Sequence, residues 1–174
     1  GGSSWQLRIH GPVNGLLDID FIDRDEGWGV GQGGVIIHTT DAGKGWTRQD
    51  SGTETNLYGL DFLNSQRGWA VGDDGLFLYT TDGGATWQER DTPVAFDLRD
   101  VDFVNNQRGW AVGDSGPVLH TYDGGTTWHA QPSGSWSLNA VYFADESRGW
   151  AVGRSGLILA TTNGGTTWTR QTSP

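Results

Sequence analysis

"TTDGGATW" occupies Thr80–Trp87, "TYDGGTTW" occupies Thr121–Trp128, and "TTNGGTTW" occupies Thr161–Trp168. A looser copy, "TTDAGKGW", stands earlier at Thr39–Trp46. A polar, glycine-rich octet that returns at a fixed interval and always ends in tryptophan is one segment of a structural repeat, and its period decides the architecture. Trp46, Trp87, Trp128 and Trp168 are spaced by 41, 41 and 40 residues, and Trp5 stands a further 41 before Trp46. A second series, Trp28, Trp69, Trp110 and Trp150, sits in "GWGVG" and three copies of "GWAVG", again spaced by 41, 41 and 40. Only Trp136 belongs to neither series.

Each period reads as four short strands. In the second copy these are "LYGLDF" (Leu57–Phe62), "GWAVG" (Gly68–Gly72), "LFLYTT" (Leu76–Thr81) and "TWQER" (Thr86–Arg90), here called A to D. Each is rich in aromatic or branched residues and bounded by Gly, Asn, Asp or Pro. The link "GDDG" supplies the positive φ that a tight B–C hairpin needs. No stretch long enough for a helix carries a 3.6-residue apolar period. Four antiparallel strands per ~41 residues, repeated, predict an all-β β-propeller. Large Trp and small Gly recur together because blades bury each other's faces, the indole filling the gap and Gly letting backbones approach.

The octet is read as a turn between strands C and D rather than a catalytic site. The carboxylates of Asp41, Asp82 and Asp123, and the amide of Asn163, accept N–H bonds from residues just ahead, while the following glycines let the chain curl back. Trp46, Trp87, Trp128 and Trp168 then re-enter the sheet. Asn163 keeps the acceptor oxygen and loses the charge, so the fourth turn is expected to be slightly weaker.

These octets resemble the Asp-box, or bacterial neuraminidase repeat. The wider unit F-x4-RGWAVG-x2-G-x2-L-x-T-x-DGG-x-TW resembles the photosystem II assembly and stability factor family, over nearly the whole length from Trp5 to Trp168. The resemblance implies a non-enzymatic propeller that binds a partner, with an arginine patch among its contacts. Three positions match through the RGW motif: Arg67, Arg108 and Arg148. It also implies more blades than the four complete A–B–C–D units present here, at about 16–50, 57–91, 98–132 and 138–172.

Residues 1–4, "GGSS", read as an appended remnant, leaving a single propeller domain over 5–174. "SWQLRIHGPVNGLLDIDF" aligns without a gap on "TWQERDTPVAFDLRDVDF", so Trp5–Ile9 is expected to be a fifth outer strand with no A, B or C before it. Three arrangements accommodate it: a piece of a larger ring, a tight four-blade ring with one strand displaced, and, favoured here, half of an eight-blade ring completed by a homodimer. An engineered or excised repeat without its own activity is a further alternative.

Strand alternation puts A–B and C–D loops on one face and D–A and B–C loops on the other. On the first face Arg67, Arg108 and Arg148 form an arc able to clamp carboxylates; the competing reading has each bonded locally, to Asp61 or Asp102. The first blade carries Glu26 there. On the second face Phe96 and Trp136 break the repeat, and Tyr58 and Arg99 lie in a register that varies from blade to blade, as a binding surface does. These four residues are candidate contacts for a peptide, or for a glycan in a lectin-like or sialidase-like alternative. No tyrosine comes with a clear Glu partner for sialidase chemistry.

The 174 residues carry one lysine, Lys44, ten arginines and a formal charge of −10, so a phosphate backbone is an unfavourable partner. Without cysteine there is no disulfide and no thiolate site. His10, His38, His120 and His129 lack metal-site spacing, and Asp73 and Asp74 sit in a hairpin that wants Asp-Gly anyway. No metal, cofactor or membrane span is expected. An extracytoplasmic setting (secreted, periplasmic or thylakoid-lumenal) is favoured.

Overall fold

The computed structural model describes residues 15–172, apart from the side chains of Pro132 and Ser135. The remnant at residues 1–4 and the fifth outer strand at Trp5–Ile9 lie outside the described residues. Among the described residues sixteen strands form four sheets of four. The first blade comprises β1 (Leu16–Phe21), β2 (Gly27–Gly31), β3 (Val35–Thr39) and β4 (Thr47–Gln49). The second comprises β5 (Leu57–Phe62), β6 (Gly68–Gly72), β7 (Phe77–Thr80) and β8 (Gln88–Glu89). The third comprises β9 (Leu98–Phe103), β10 (Gly109–Gly113), β11 (Gly116–Thr121) and β12 (His129–Trp136), and the fourth β13 (Leu138–Phe143), β14 (Gly149–Gly153), β15 (Ile158–Thr161) and β16 (Thr169–Gln171). Every sheet is an antiparallel meander with neighbours in chain order. This is the blade expected from the repeat.

Local chemistry accounts for the strand limits. The B–C link turns through Asp74 at φ 55° and Gly75 at φ 77°, the positive-φ hairpin read from "GDDG". The outer strands are shorter than expected, β8 keeping only Gln88–Glu89 of Thr86–Arg90, because an edge strand has one neighbour to hold it. The exception is β12, which runs on to Trp136 by pairing that residue with Gly116.

The core lies in the seams between blades. Trp28 stacks on Phe62 of the next blade at 3.7 Å between ring centroids, Trp69 on Phe103 at 3.6 Å, and Trp110 on Phe143 at 3.5 Å. Each of these indoles also donates its N–H across the seam, to the carbonyls of Gly83, Gly124 and Gly164 respectively, at 3.1–3.2 Å. The stacked phenylalanines demand glycine on strand B: a Cβ at Gly68 would lie 2.5 Å from the Phe62 ring.

Seams join β1 to β5, β5 to β9 and β9 to β13, and no comparable packing joins β13 to β1 among the described residues. Among the described residues the four blades form an open arc rather than a closed four-blade ring. Its two ends are apolar and exposed. Ile19 is 55% exposed where its counterparts Leu60, Val101 and Val141 are buried, and Trp150 is 42% exposed where Trp28, Trp69 and Trp110 are buried.

The octet is the self-contained turn read from sequence. Asp82 accepts the Thr86 N–H at 2.9 Å and the Thr86 hydroxyl at 2.7 Å, which holds its carboxyl below the usual range, while Thr80 Oγ1 accepts the Gly84 N–H at 2.9 Å. Asp123 repeats this with Thr127. In the fourth blade the last bond reverses: Asn163 Nδ2 donates to Thr167 Oγ1 at 3.0 Å. Asn163→Asp restores the charged acceptor and should raise the thermal midpoint by about 1–3 °C, read by calorimetry.

Candidate partner-binding faces

Main-chain bonds sort the loops onto two faces. The C–D turns are tied to the A–B loops by Ala42, Gly83, Gly124 and Gly164 N–H groups donating to Asp25, Gln66, Gln107 and Ser147 carbonyls. The B–C turns are tied to the D–A loops by Asp73, Asp114 and Arg154 N–H groups donating to Asn56, Asp97 and Ser137 carbonyls.

On the first face the three RGW arginines are not equivalent. Arg108 pairs with Glu146 of the next blade at 2.9 Å and lies over the Tyr122 ring. Arg148 pairs with Asp145 at 2.7 Å. The local partners are thus Glu146 and Asp145, not the expected Asp61 and Asp102, which accept N–H groups of the next blade. Arg67 has no carboxylate partner among the described residues. Glu26, at the arc's first position, bonds His38 at 3.1 Å.

Arg67 opens onto a cavity of about 200 Å³ between the second and third blades, lined by Trp69, Tyr79, Thr81, Arg90, Asn106, Thr126 and the carboxylate of Asp123 among others. The cavity follows from one departure in the repeat. Gln49 and Gln131 donate to the next blade's Gly83 and Gly164 carbonyls at 2.7 and 2.8 Å, closing their seams. The second blade has Arg90 at that register. Its guanidinium turns back over the Tyr79 ring, 4.4 Å from the centroid, and donates to the Tyr79 hydroxyl at 2.7 Å. Sequence reading passed over Arg90, although its mismatch with Gln49, Gln131 and Gln171 was there to be found.

The second face is less open than expected. Phe96 packs into the seam cluster of Trp69, Leu98 and Phe103 instead of projecting outward, its ring lying against Gly116, which has no side chain to displace it. Trp136 does stand out, 38% exposed, with its indole N–H donated to the Ser133 carbonyl at 2.6 Å. Tyr58 and Arg99 come together: the guanidinium lies 4.1 Å from the ring centroid. Arg99 is also held by Asp97 at 3.0 Å and Asp114 at 2.7 Å, so little of its charge is left for a ligand.

The channel wall carries a feature that the sequence reading missed. Asp18 and Asp20 accept the Leu60 and Phe62 N–H groups of the next blade at 2.9 Å. Asp61 accepts from Phe103 at 2.8 Å, and Asp100 and Asp102 from Val141 and Phe143 at 2.7 and 2.8 Å. Desolvation pushes the carboxyls of Asp61, Asp100 and Asp102 up to about 8, 7 and 6. The mutual repulsion of Asp61 and Asp102 adds to the rise at Asp61.

Among solved structures, "YCF48 bound to D1 peptide" is similar at 19% identity and a TM-score of 0.60, over 89% of this chain and 80% of that one. YCF48 from Cyanidioschyzon merolae is similar at 22% identity and a TM-score of 0.74, over 91% of this chain and 56% of that one. The GH74 enzyme of Niastella koreensis is similar at 19% identity and a TM-score of 0.73, over 90% of this chain and 30% of that one. The chain thus spans little more than half of the C. merolae protein, and likenesses at this identity show the fold. No curated protein sequence matches. The family model described as photosynthesis system II assembly factor YCF48 matches residues 46–130 and 91–173. The chain belongs to that family.

Proposed function

We propose that this chain is a non-catalytic interaction module that takes a carboxylate-bearing peptide segment of a protein partner on its arginine face. The observation that carries the reading is the cavity between the second and third blades. It sets Arg67, which has no acidic partner among the described residues, beside Arg90 on a chain of net charge −10. Two guanidiniums with Thr81 and Thr126 hydroxyls suit a carboxylate and side-chain or main-chain oxygens. Family membership, and the peptide carried by one solved relative, support a peptide over other ligands. The glycan alternative keeps Trp136 but loses Phe96 as a second stacking platform. An extracytoplasmic setting is part of the proposal; no helix among the described residues is long and apolar enough to cross a membrane.

The test is calorimetric titration with a set of acidic peptides, each with a free and an amidated C-terminus. Arg67→Ala should weaken binding at least tenfold, and Arg90→Gln should weaken it as well by restoring the seam bond and filling the cavity. Binding that ignores both substitutions would refute the site.

A further inference from the structure

We propose that the cavity between the second and third blades takes a primary carboxamide, the side chain of a glutamine or asparagine that the partner's segment carries beside its carboxylate. This rests on the peptide reading above and adds the second group that the same site recognises. The chain supplies such an amide to two of its own seams, so the match can be read from them.

Gln49 Nε2 donates to the Gly83 carbonyl at 2.7 Å, where the Trp28 indole N–H arrives at 3.2 Å. Gln131 Nε2 donates to the Gly164 carbonyl at 2.8 Å, beside the Trp110 indole at 3.1 Å. Each of these glycine carbonyls thus spends both lone pairs. The Gly124 carbonyl receives the Trp69 indole at 3.1 Å and no second donor among the described residues. Arg90 stands at the glutamine register there and is committed to Tyr79. Trp69, Arg90 and Gly124 all line the cavity, so the unspent acceptor and the side chain that turned away from it share one space.

The lining selects the class of donor. An ammonium or guanidinium would stand beside Arg67 and Arg90, and a carboxylate has no N–H for Gly124 and would meet the Asp123 carboxylate. A primary amide is neutral and carries two N–H donors and an acceptor oxygen. The Gln49 and Gln131 amide oxygens are buried without a hydrogen-bond partner, packed where a Cβ at Gly84 or Gly165 would lie 2.0 Å away. At the second seam the Phe77 ring fills that place, 2.5 Å from a Cβ at Gly125. A guest amide there turns its oxygen to the Arg67 and Arg90 guanidiniums while its N–H meets Gly124, so both of its ends are satisfied. The two guanidiniums have N–H groups enough for this oxygen and for the neighbouring carboxylate.

The first probe is propionamide, titrated into the chain while the Trp69 indole N–H, assigned with Trp69→Phe, is followed by nitrogen-15 NMR. Because that N–H shares the Gly124 carbonyl, a bound amide should shift it saturably, whereas N,N-dimethylpropionamide, propionate and propylamine should not. Arg90→Gln supplies its own amide and should abolish the response. Gln49→Ala opens the first seam in the same way and should create a response at Trp28. The second probe is the capped tripeptide Glu-X-Glu. With X as Gln it should bind about tenfold more tightly than with X as Glu, Leu or Lys, the scale expected when a buried acceptor is met rather than left, and Arg90→Gln should erase the preference. No shift of Trp69 under propionamide, an equal shift by the dimethyl amide or propylamine, or a tripeptide affinity indifferent to X would each overturn the proposal. Tripeptides that bind through Arg67 without preferring Gln would sink the carboxamide and leave the acidic-peptide reading standing; a propionamide response with no tripeptide binding would do the reverse.

Discussion

Replacing Trp110 by alanine is expected to cost about 4 kcal/mol of stability, within the range for emptying a buried aromatic site. The indole is fully buried, stacked between His120 at 4.6 Å and Phe143 at 3.5 Å. It also donates to the Gly164 carbonyl at 3.1 Å, so the substitution removes a bond as well as contact area. The loss falls on the seam that joins the fourth blade to the third. Hydrogen exchange should therefore show β13–β16 opening first, while β1–β8 keep their protection. Trp136→Ala is the control. That residue is outside the seams, and its removal should cost under about 1 kcal/mol. Equal costs for the two substitutions, read by urea denaturation, would contradict a core built from seams.

Stability should fall by up to about 6 kcal/mol between pH 5.5 and pH 8.5, each pH unit of differential titration being worth about 1.4 kcal/mol per group. The sign follows from the channel carboxyls. Asp61, Asp100 and Asp102 titrate at about 8, 7 and 6 when folded and near 3.8 when unfolded. The folded arc therefore holds protons that the unfolded chain has lost. Their contribution is complete below pH 3.8 and disappears as pH rises through 6, 7 and 8. The turn carboxylates work in the opposite direction. Asp82 and Asp145 are held low by bonds from Thr86 and Ser147, so their contribution is lost as pH falls below the ordinary range. Maximum stability is expected at about pH 4, where the two opposing contributions cross. Asp61→Asn keeps an oxygen for the Phe103 N–H and removes the proton, so urea midpoints from pH 5.5 to 8.5 should lose about half of their slope. A slope unchanged in Asp61→Asn would place the pH dependence elsewhere.

The blade was legible because the repeat writes its constraints at fixed registers: Trp69 and Trp110 must fill a seam, Gly68 must yield to Phe62, and Asp82 must close a turn. What lies opposite a given side chain was not legible. "LDIDF" alternates apolar and charged residues as a half-solvated strand does, and nothing in Asp18 or Asp20 says that the next blade's N–H groups wait there. Arg108 was seen as one of an arc, but its partner Glu146 belongs to another blade. Phe96 and Arg90 are both exceptions to the repeat. Exception alone does not distinguish a residue that fills a gap, as Phe96 does over Gly116, from one that opens a gap, as Arg90 does beside Tyr79.

Most bonds across the seams end on main chain: the carbonyls of Gly83, Gly124 and Gly164, and the amides of Leu60, Phe62 and Phe103. A blade therefore identifies its neighbour by backbone position more than by side-chain identity. Such units tolerate duplication, reordering and drift, because any copy with the same trace offers the same partners. An arc of this kind lengthens by gene duplication without inventing a new joint, and novelty such as Arg90 needs only one residue to fall out of step.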